Sequence, residues 1–300
     1  MQHIFKGMWG SQGYGPGQFN YPRGIAVDSR GDVYVADGTN HRIQKFNRIG
    51  IFIGILGSSG TDDSEFMNPM GIAVDSNDDI YVADGDNHRI QKFTRTGNFI
   101  RKWGSYGTDD GKFILPQGIT VESDDDIVVV DSINRRIQKF TSDGDFVRKW
   151  GSYGTDDGQF DSVTGIAVDS DDDIYVTDSH LNEHVKKFTR TGDFITKWGS
   201  AGTGDGQFIG AHGIATFSGN SLLVVEFSNH RIQEFSRDGD FITKFGSGGI
   251  QPGQFRYPSY VAIDKPTGMH YISDTFGHRI QMFHWDPGVV VDPFPDRVHL

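Results

Sequence analysis

The sequence predicts an all-β fold: a six-bladed β-propeller of four-stranded antiparallel blades, closed by an N-terminal strand that completes the last blade. Three observations predict it. Three short motifs recur six times in step; each repeat carries four strand-like runs separated by turn residues; and the first residues of the chain match the piece that the last repeat lacks. Repeats of about 45 residues with four strands each are the mark of propeller blades.

The first ladder is a Trp-Gly pair at Trp9, Trp103, Trp150 and Trp198, with Leu56 and Phe245 in the other two places, at successive spacings of 47, 47, 47, 48 and 47 residues. The second is GIAVD from Gly24, Gly71 and Gly165, with variants from Gly118, Gly213 and Tyr260. The third is HRIQKF from His41 and His88, with variants from Arg135, Glu183, His230 and His278.

The second repeat illustrates the strands. Strand a covers 71–75, a polar turn follows at Ser76, and strand b covers 80–83. A loop of Gly85, Asp86 and Asn87 leads to strand c at 88–93. A turn ending at Gly97 then leads to strand d at 99–103. Val, Ile, Tyr and Phe fill the strands, and Gly, Asp, Asn and Ser fill the turns. The sixth repeat stops at strand c, near Phe283, while His3 to Gly10 matches a strand d. Pairing the two ends seals the ring and removes two open sheet edges. Residues 1–283 are therefore expected to form one propeller. Residues 284–300, with Pro287, Pro293 and Pro295, read as an extended tail in which Trp285 and Phe294 could pack on the rim.

Composition narrows the function. Of 300 residues, 40 are Gly and 36% are hydrophobic, which suits many short strands and tight turns. The formal charge of -12 disfavours a phosphate backbone as partner unless a basic patch overrides it. With no Cys there are no disulfides or thiolate metal sites. No apolar run approaches the ~18 residues of a membrane span, and the opening MQHIFKGMWG has no signal-peptide apolar core. The sequence assigns no compartment.

Together the motifs resemble the NHL repeat, which runs G-I-A-V-D, a turn, Y-V-A-D, a loop, N-H-R-I-Q-x-F and a last strand ending near W-G. The resemblance covers residues 3 to 283. It implies the propeller fold but no single activity. Members of the family serve as RNA- or protein-binding modules of tripartite-motif ubiquitin ligases, as sensor domains of bacterial kinases, and as the zinc lyase that finishes peptide amidation.

Residues present in every repeat read as fold-making. An acid closes strand b (Asp37, Asp84, Asp131, Asp178, Glu226, Asp274) and a basic residue opens strand c (Arg42, Arg89, Arg136, His184, Arg231, Arg279). The two flank one short loop and are expected to pair across it. The His of HRIQ recurs about 60° apart around the ring and cannot converge on one metal. The Trp residues are expected to pack between blades. The acidic a–b turns at Asp28, Asp75, Glu122 and Asp169 read as solvated. With the d–a loop pairs Asp62-Asp63, Asp109-Asp110 and Asp156-Asp157 they are the candidates for Ca²⁺, although none matches a twelve-residue calcium loop.

Functional residues are sought where the repeats differ. The most varied position lies just before the strand-a Gly: Arg23, Met70, Gln117, Thr164, His212 and Ser259. In a propeller this position rims the central channel, and Tyr21 and Tyr257 lie beside it. These eight residues are the predicted ligand-binding set. No catalytic or metal-binding residue is assigned. The resembled lyase places zinc-binding His at this position in three blades, whereas here only His212 occupies it. The expected function is therefore a non-catalytic binding module, monomeric, recognising a protein, peptide or small polar ligand at the channel mouth. The alternative is a metal-dependent hydrolase or lyase at the same channel. The third reading, an RNA-binding domain, is opposed by Asp62, Asp63, Glu65, Asp109, Asp110, Asp156, Asp157 and Asp205 on that face, against few bases, chiefly Arg23, Lys112 and Arg256.

Overall fold

A computed structural model describes residues 2–217 and 221–286. Six antiparallel four-stranded meanders form the blades. Blade one consists of Pro22–Val27, Val33–Asp37, Arg42–Phe46 and Phe52–Leu56. The first strand of each blade touches the first strand of the next all the way round, so strands a form the inner wall. Blade six takes Pro258–Asp264, Met269–Asp274 and Arg279–Asp286, and its outer strand is Gln2–Trp9. His3 lies opposite Trp285, and Trp9 opposite Ile280. The ends of the propeller are therefore joined by strand pairing, as the sequence implied. Trp285 belongs to the last strand, while residues 287–300, including Phe294, lie outside the described residues.

Six apolar clusters hold the blades together, each shared by two neighbours; Tyr81 and Ile90 of blade two pack with Ile127, Val129 and Phe140 of blade three. The Trp side chains lie in these seams. Trp9, at the end of blade six, packs against the c–d turn of blade one, where a Cβ on Gly50 would fall 2.7 Å from the indole. Gly144, Gly192 and Gly239 repeat this contact with Trp103, Trp150 and Trp198.

The repeated acid at the end of strand b is the hub of each b–c loop. Asp37 is fully buried and accepts hydrogen bonds from Arg42 Nε (2.8 Å), Asn40 Nδ2 (2.8 Å), Gln44 Nε2 (3.0 Å) and the Asn20 N–H (2.7 Å). Burying a charge is tolerable only with this number of partners. Asp84, Asp131, Glu226 and Asp274 make the equivalent ion pair with Arg89, Arg136, Arg231 and Arg279. Blade four corrects the expected pairing. Asp178 pairs with Lys186 Nζ at 2.9 Å, not with His184. An imidazole is too short to replace the Arg, and Lys186, standing where other blades have Gln, supplies the cation from within strand c.

The acidic a–b turns are not simply solvated. Ser29 Oγ donates to Asp78 of the next blade at 2.8 Å, and Ser76 Oγ donates to Asp125 at 2.7 Å. The turns thus form a belt of inter-blade hydrogen bonds on the face opposite the b–c loops.

Candidate ligand site at the channel mouth

The varied position before the strand-a Gly sits in a β-bulge in all six blades. In blade one Pro22 pairs with Asp37 and Ile25 with Val35, so Arg23 and Gly24 together oppose Ala36. The register shift recurs at 69/72, 116/119, 163/166, 211/214 and 258/261. A bulge re-aims one side chain out of the sheet's alternation. Here it carries the varied residue towards the b–c loop of its own blade. Gln117 Nε2 reaches Ser132 Oγ at 3.2 Å, and a Cβ on Gly38 would lie 3.2 Å from Arg23 Nε.

The glycine of the bulge is required where strands a crowd together. A Cβ on Gly24 would stand 2.3 Å from the Met70 carbonyl of the next blade, and one on Gly213 would stand 2.5 Å from that of Ser259. The sixth repeat breaks this rule with Tyr260. Its ring meets His212 edge-on at 5.4 Å and is nearly buried. Tyr260 therefore stands where the other five blades require glycine. The GIAVD ladder contained that signal, a Tyr in the Gly column, but spacing alone does not reveal that the other five glycines are sterically forced.

The structure divides the eight predicted residues. Met70, Thr164 and Ser259 are buried. Thr164 Oγ1 lies 3.2 Å from Thr177 Oγ1, and Ser259 Oγ lies 3.2 Å from Ser273 Oγ, so both hydroxyls are spent within the wall. Gln117 is half-buried on the far side of the ring. Arg23, His212, Tyr21 and Tyr257 are brought together on one side, by blades five, six and one.

That side carries an aromatic shelf. Tyr21 meets Phe276 at 5.0 Å, Phe276 meets Tyr257 at 5.1 Å, Tyr257 meets Phe227 at 5.0 Å, and Phe227 stacks on His212 at 5.7 Å. Tyr257 is 40% exposed and Phe276 37%. Phe227 and Phe276 belong to b–c loops, where blades one and two have Gly38, Thr39, Gly85 and Asp86. Tyr21 and Tyr257 hold left-handed backbone (φ 56° and 52°), an uncommon conformation for a bulky residue. Each is fixed by a repeated histidine of the preceding blade. The Tyr21 N–H donates to His278 Nδ1 at 3.3 Å, and the Tyr257 N–H donates to His230 Nδ1 at 3.1 Å. The histidines of HRIQ are therefore backbone latches.

Behind the shelf, three polar groups lack partners. Among the described residues Arg23 makes no hydrogen bond or ion pair, and its Nε is buried. His212 Nδ1 and the Tyr260 hydroxyl are buried without a hydrogen bond. Burial, with the Arg23 charge second, pushes the His212 pKa down to about 4; burial pushes that of Tyr260 up to about 12, and Arg23 acts against the rise. Near neutral pH both rings are uncharged, and Arg23 is the cation among the three.

Below Tyr260 the channel is a cavity of about 230 Å³. Its wall is built of Ile25, Ile72, Ile119, Ile166 and Ile214 with small and β-branched neighbours, and among the described residues that line it none offers a carboxylate or imidazole to an axial metal. Among the described residues one acidic group has metal-like spacing, Glu122, Asp124 and Asp126 on the opposite face. Lys139 and Arg190 already meet its oxygens. On the mouth face the lysines are also engaged: Lys102 with Asp63, Lys149 with Asp110, Lys197 with Asp157 and Lys244 with Asp205. Among the described residues no helix is long and apolar enough to cross a membrane.

The NHL repeat family matches residues 19–46, 66–93, 160–188 and 208–235. Two curated relatives share one repeat-sized stretch. B-box type zinc finger protein ncl-1 of Caenorhabditis elegans is 47% identical over 47 residues, 16% of this chain and 6% of the relative. E3 ubiquitin-protein ligase TRIM32 of Homo sapiens is 47% identical over 49 residues, 16% of this chain and 8% of the relative. The matched stretches thus span less than a tenth of those relatives. Among solved structures, a gluconolactonase of Xanthomonas campestris superposes with a TM-score of 0.66 at 15% identity, covering 90% of this chain and 87% of that one. At that identity the likeness is one of fold.

Proposed function

We infer that this chain, a six-bladed propeller built of NHL repeats, is a binding module that takes a peptide segment of a partner protein on the channel-mouth shelf of blades five, six and one. The aromatic run from Tyr21 through Phe276 and Tyr257 to Phe227 carries this reading. Rigid, half-exposed aromatic rings give large contact area at little entropic cost, and such residues dominate the energetics of protein recognition. These four rings form a continuous run on one side of the rim, whereas the more exposed Tyr14, Tyr106 and Tyr153 of the d–a loops join no such run. The repeats shared with ncl-1 and with a ubiquitin-protein ligase support a role in protein recognition. Among the described residues the channel wall gives an axial metal no carboxylate or imidazole, and four lysines of the mouth are tied to aspartates, so neither the metalloenzyme nor the RNA reading gains an observation of its own.

Panning a displayed peptide library on the immobilised propeller tests the reading. Selected peptides are expected to lose at least about tenfold in affinity for Tyr257→Ala or Phe276→Ala, the loss typical of an aromatic anchor. They should bind Val147→Ala, an exposed change on the outer strand of blade three, as they bind the parent. Equal affinity for parent and both shelf variants would defeat the assignment.

A further inference from the structure

We propose that Arg23, with His212 and Tyr260 beside it, forms a carboxylate-binding subsite at the inner end of the aromatic shelf; the proposal rests on the binding role of the shelf. In this chain guanidinium groups are usually spent. Arg42, Arg89, Arg136, Arg231 and Arg279 each hold a buried acid. Arg23 holds none, although its Nε is buried and its solvation is therefore partly lost. Two more buried polar atoms without partners, His212 Nδ1 and the Tyr260 hydroxyl, accompany it. Buried polar groups are nearly always satisfied, and a cluster that is not points to a missing partner.

The chemistry of the cluster selects the partner. It needs an acceptor with a negative charge for Arg23, and Tyr260 can donate a second hydrogen bond. One guanidinium flanked by two neutral rings balances one negative charge. Within the cluster Arg23 is the one cation, so a dianionic phosphate would leave a charge uncompensated there. A planar carboxylate also matches the forked geometry of an arginine side chain. The ring of Phe227, stacked on His212 and touching Tyr257, continues the site outward, so the acid is joined to an apolar or aromatic group. That description fits a chain-terminal carboxylate, an Asp or Glu side chain beside an aromatic residue, or a free aromatic acid.

Four probes separate these sources: N-acetyl-phenylalanine, its amide, N-acetyl-aspartyl-phenylalanine amide, and benzoate. Binding is read from the Arg Nε–Hε nuclear resonances, with the Arg23 signal assigned by its loss in Arg23→Gln. At least one acid should shift that signal, and the amide should bind at least about tenfold more weakly than its parent acid. Preference for N-acetyl-phenylalanine marks a chain terminus, preference for the aspartyl probe an internal acid, and preference for benzoate a free acid. Arg23→Lys should weaken the best acid and Arg23→Gln should abolish its binding, each with a cooperative melt retained. Equal binding of acid and amide, a signal unmoved by every acid, or unaltered acid binding by Arg23→Gln would overturn the subsite. If panned peptides depend on Tyr257 but not on Arg23, the shelf stands and the subsite fails; if they depend on neither, both fail.

Discussion

The N–H of Tyr257 donates to Nδ1 of His230, one blade earlier, at 3.1 Å. The same bond joins Asn68 to His41 (2.9 Å), Leu115 to His88 (3.1 Å) and Tyr21 to His278 (3.3 Å). In blade four the Glu183 carboxylate accepts from the Gly210 N–H instead, at 3.0 Å. Each bond fixes a left-handed residue at the start of a strand a. A residue repeated for the fold thereby sets where the two site tyrosines stand.

Removing one latch should affect both stability and site. His230→Ala is expected to cost about 0.5–1.5 kcal/mol, the net worth of an ordinary hydrogen bond at a partly exposed site. His230→Phe keeps a ring but not the acceptor and should lose a similar amount. Urea midpoints check both. Full stability in His230→Phe would show that packing, not the bond, sets the Tyr257 backbone.

The glycine column makes a contrasting pair. Gly24→Ala drives a methyl to 2.3 Å from the Met70 carbonyl and should cost about 1–3 kcal/mol or more. Gly54→Ala, on the outer strand of blade one, meets nothing within 4 Å and should be neutral or stabilising by about 0.5–1 kcal/mol, since Gly weakens strands. Thermal or urea unfolding of the two variants reads the difference.

Acid should weaken the ring at its seam. His270 lies 3.1 Å from His3, and His3 lies 2.9 Å from Glu234. Burial, then the neighbouring His3 and His284, push the His270 pKa down to about 3. The unfolded chain binds this proton near pH 6.5, the folded chain only near pH 3, so the stabilisation is complete above about pH 6.5 and drains away as pH falls towards 3. Burial would raise the Glu234 pKa, but hydrogen bonds from His3 and Ser221 hold it below the usual range. Its contribution is therefore present above its ordinary pKa and is also lost in acid. Stability measured across this range should fall with acid, and more shallowly in His270→Gln. Identical slopes would remove His270 from the account.

Blade four offers a repair experiment. Lys186→Ala leaves Asp178 buried without its cation and should cost about 3–5 kcal/mol. Lys186→Gln with His184→Arg restores the residues of the other blades at both positions. The double variant should recover most of that loss in urea unfolding, whereas Lys186→Gln alone should not. Failure of the double variant would mean that the extra loop residue in this blade prevents the usual hub.

The sequence made the blades, their order and the ring closure legible because each rests on short-range pattern. Strands declare themselves by alternation and turns by Gly and Asp, and six copies average out exceptions. The mouth was legible in part. The position occupied by Arg23 and His212 stood out by variation, as did the neighbouring tyrosines. That Thr164 and Ser259 are spent in the wall was not readable, because their partners Thr177 and Ser273 come from the adjacent strand. The bulge that aims the varied residue depends on one unmatched position in a ladder, which sequence spacing does not display. The expected His184–Asp178 pair failed because a lysine two residues along strand c reached the same acid.

The most direct test of the binding account is the hydrogen-exchange footprint of a panned peptide on the full chain. The account predicts slowed exchange at the backbone around Tyr21, Phe227, Tyr257 and Phe276, with the a–b turns at Ser29, Ser76 and Ser123 unchanged. Protection confined to those turns, or to the outer strands such as Phe146–Trp150, would contradict it.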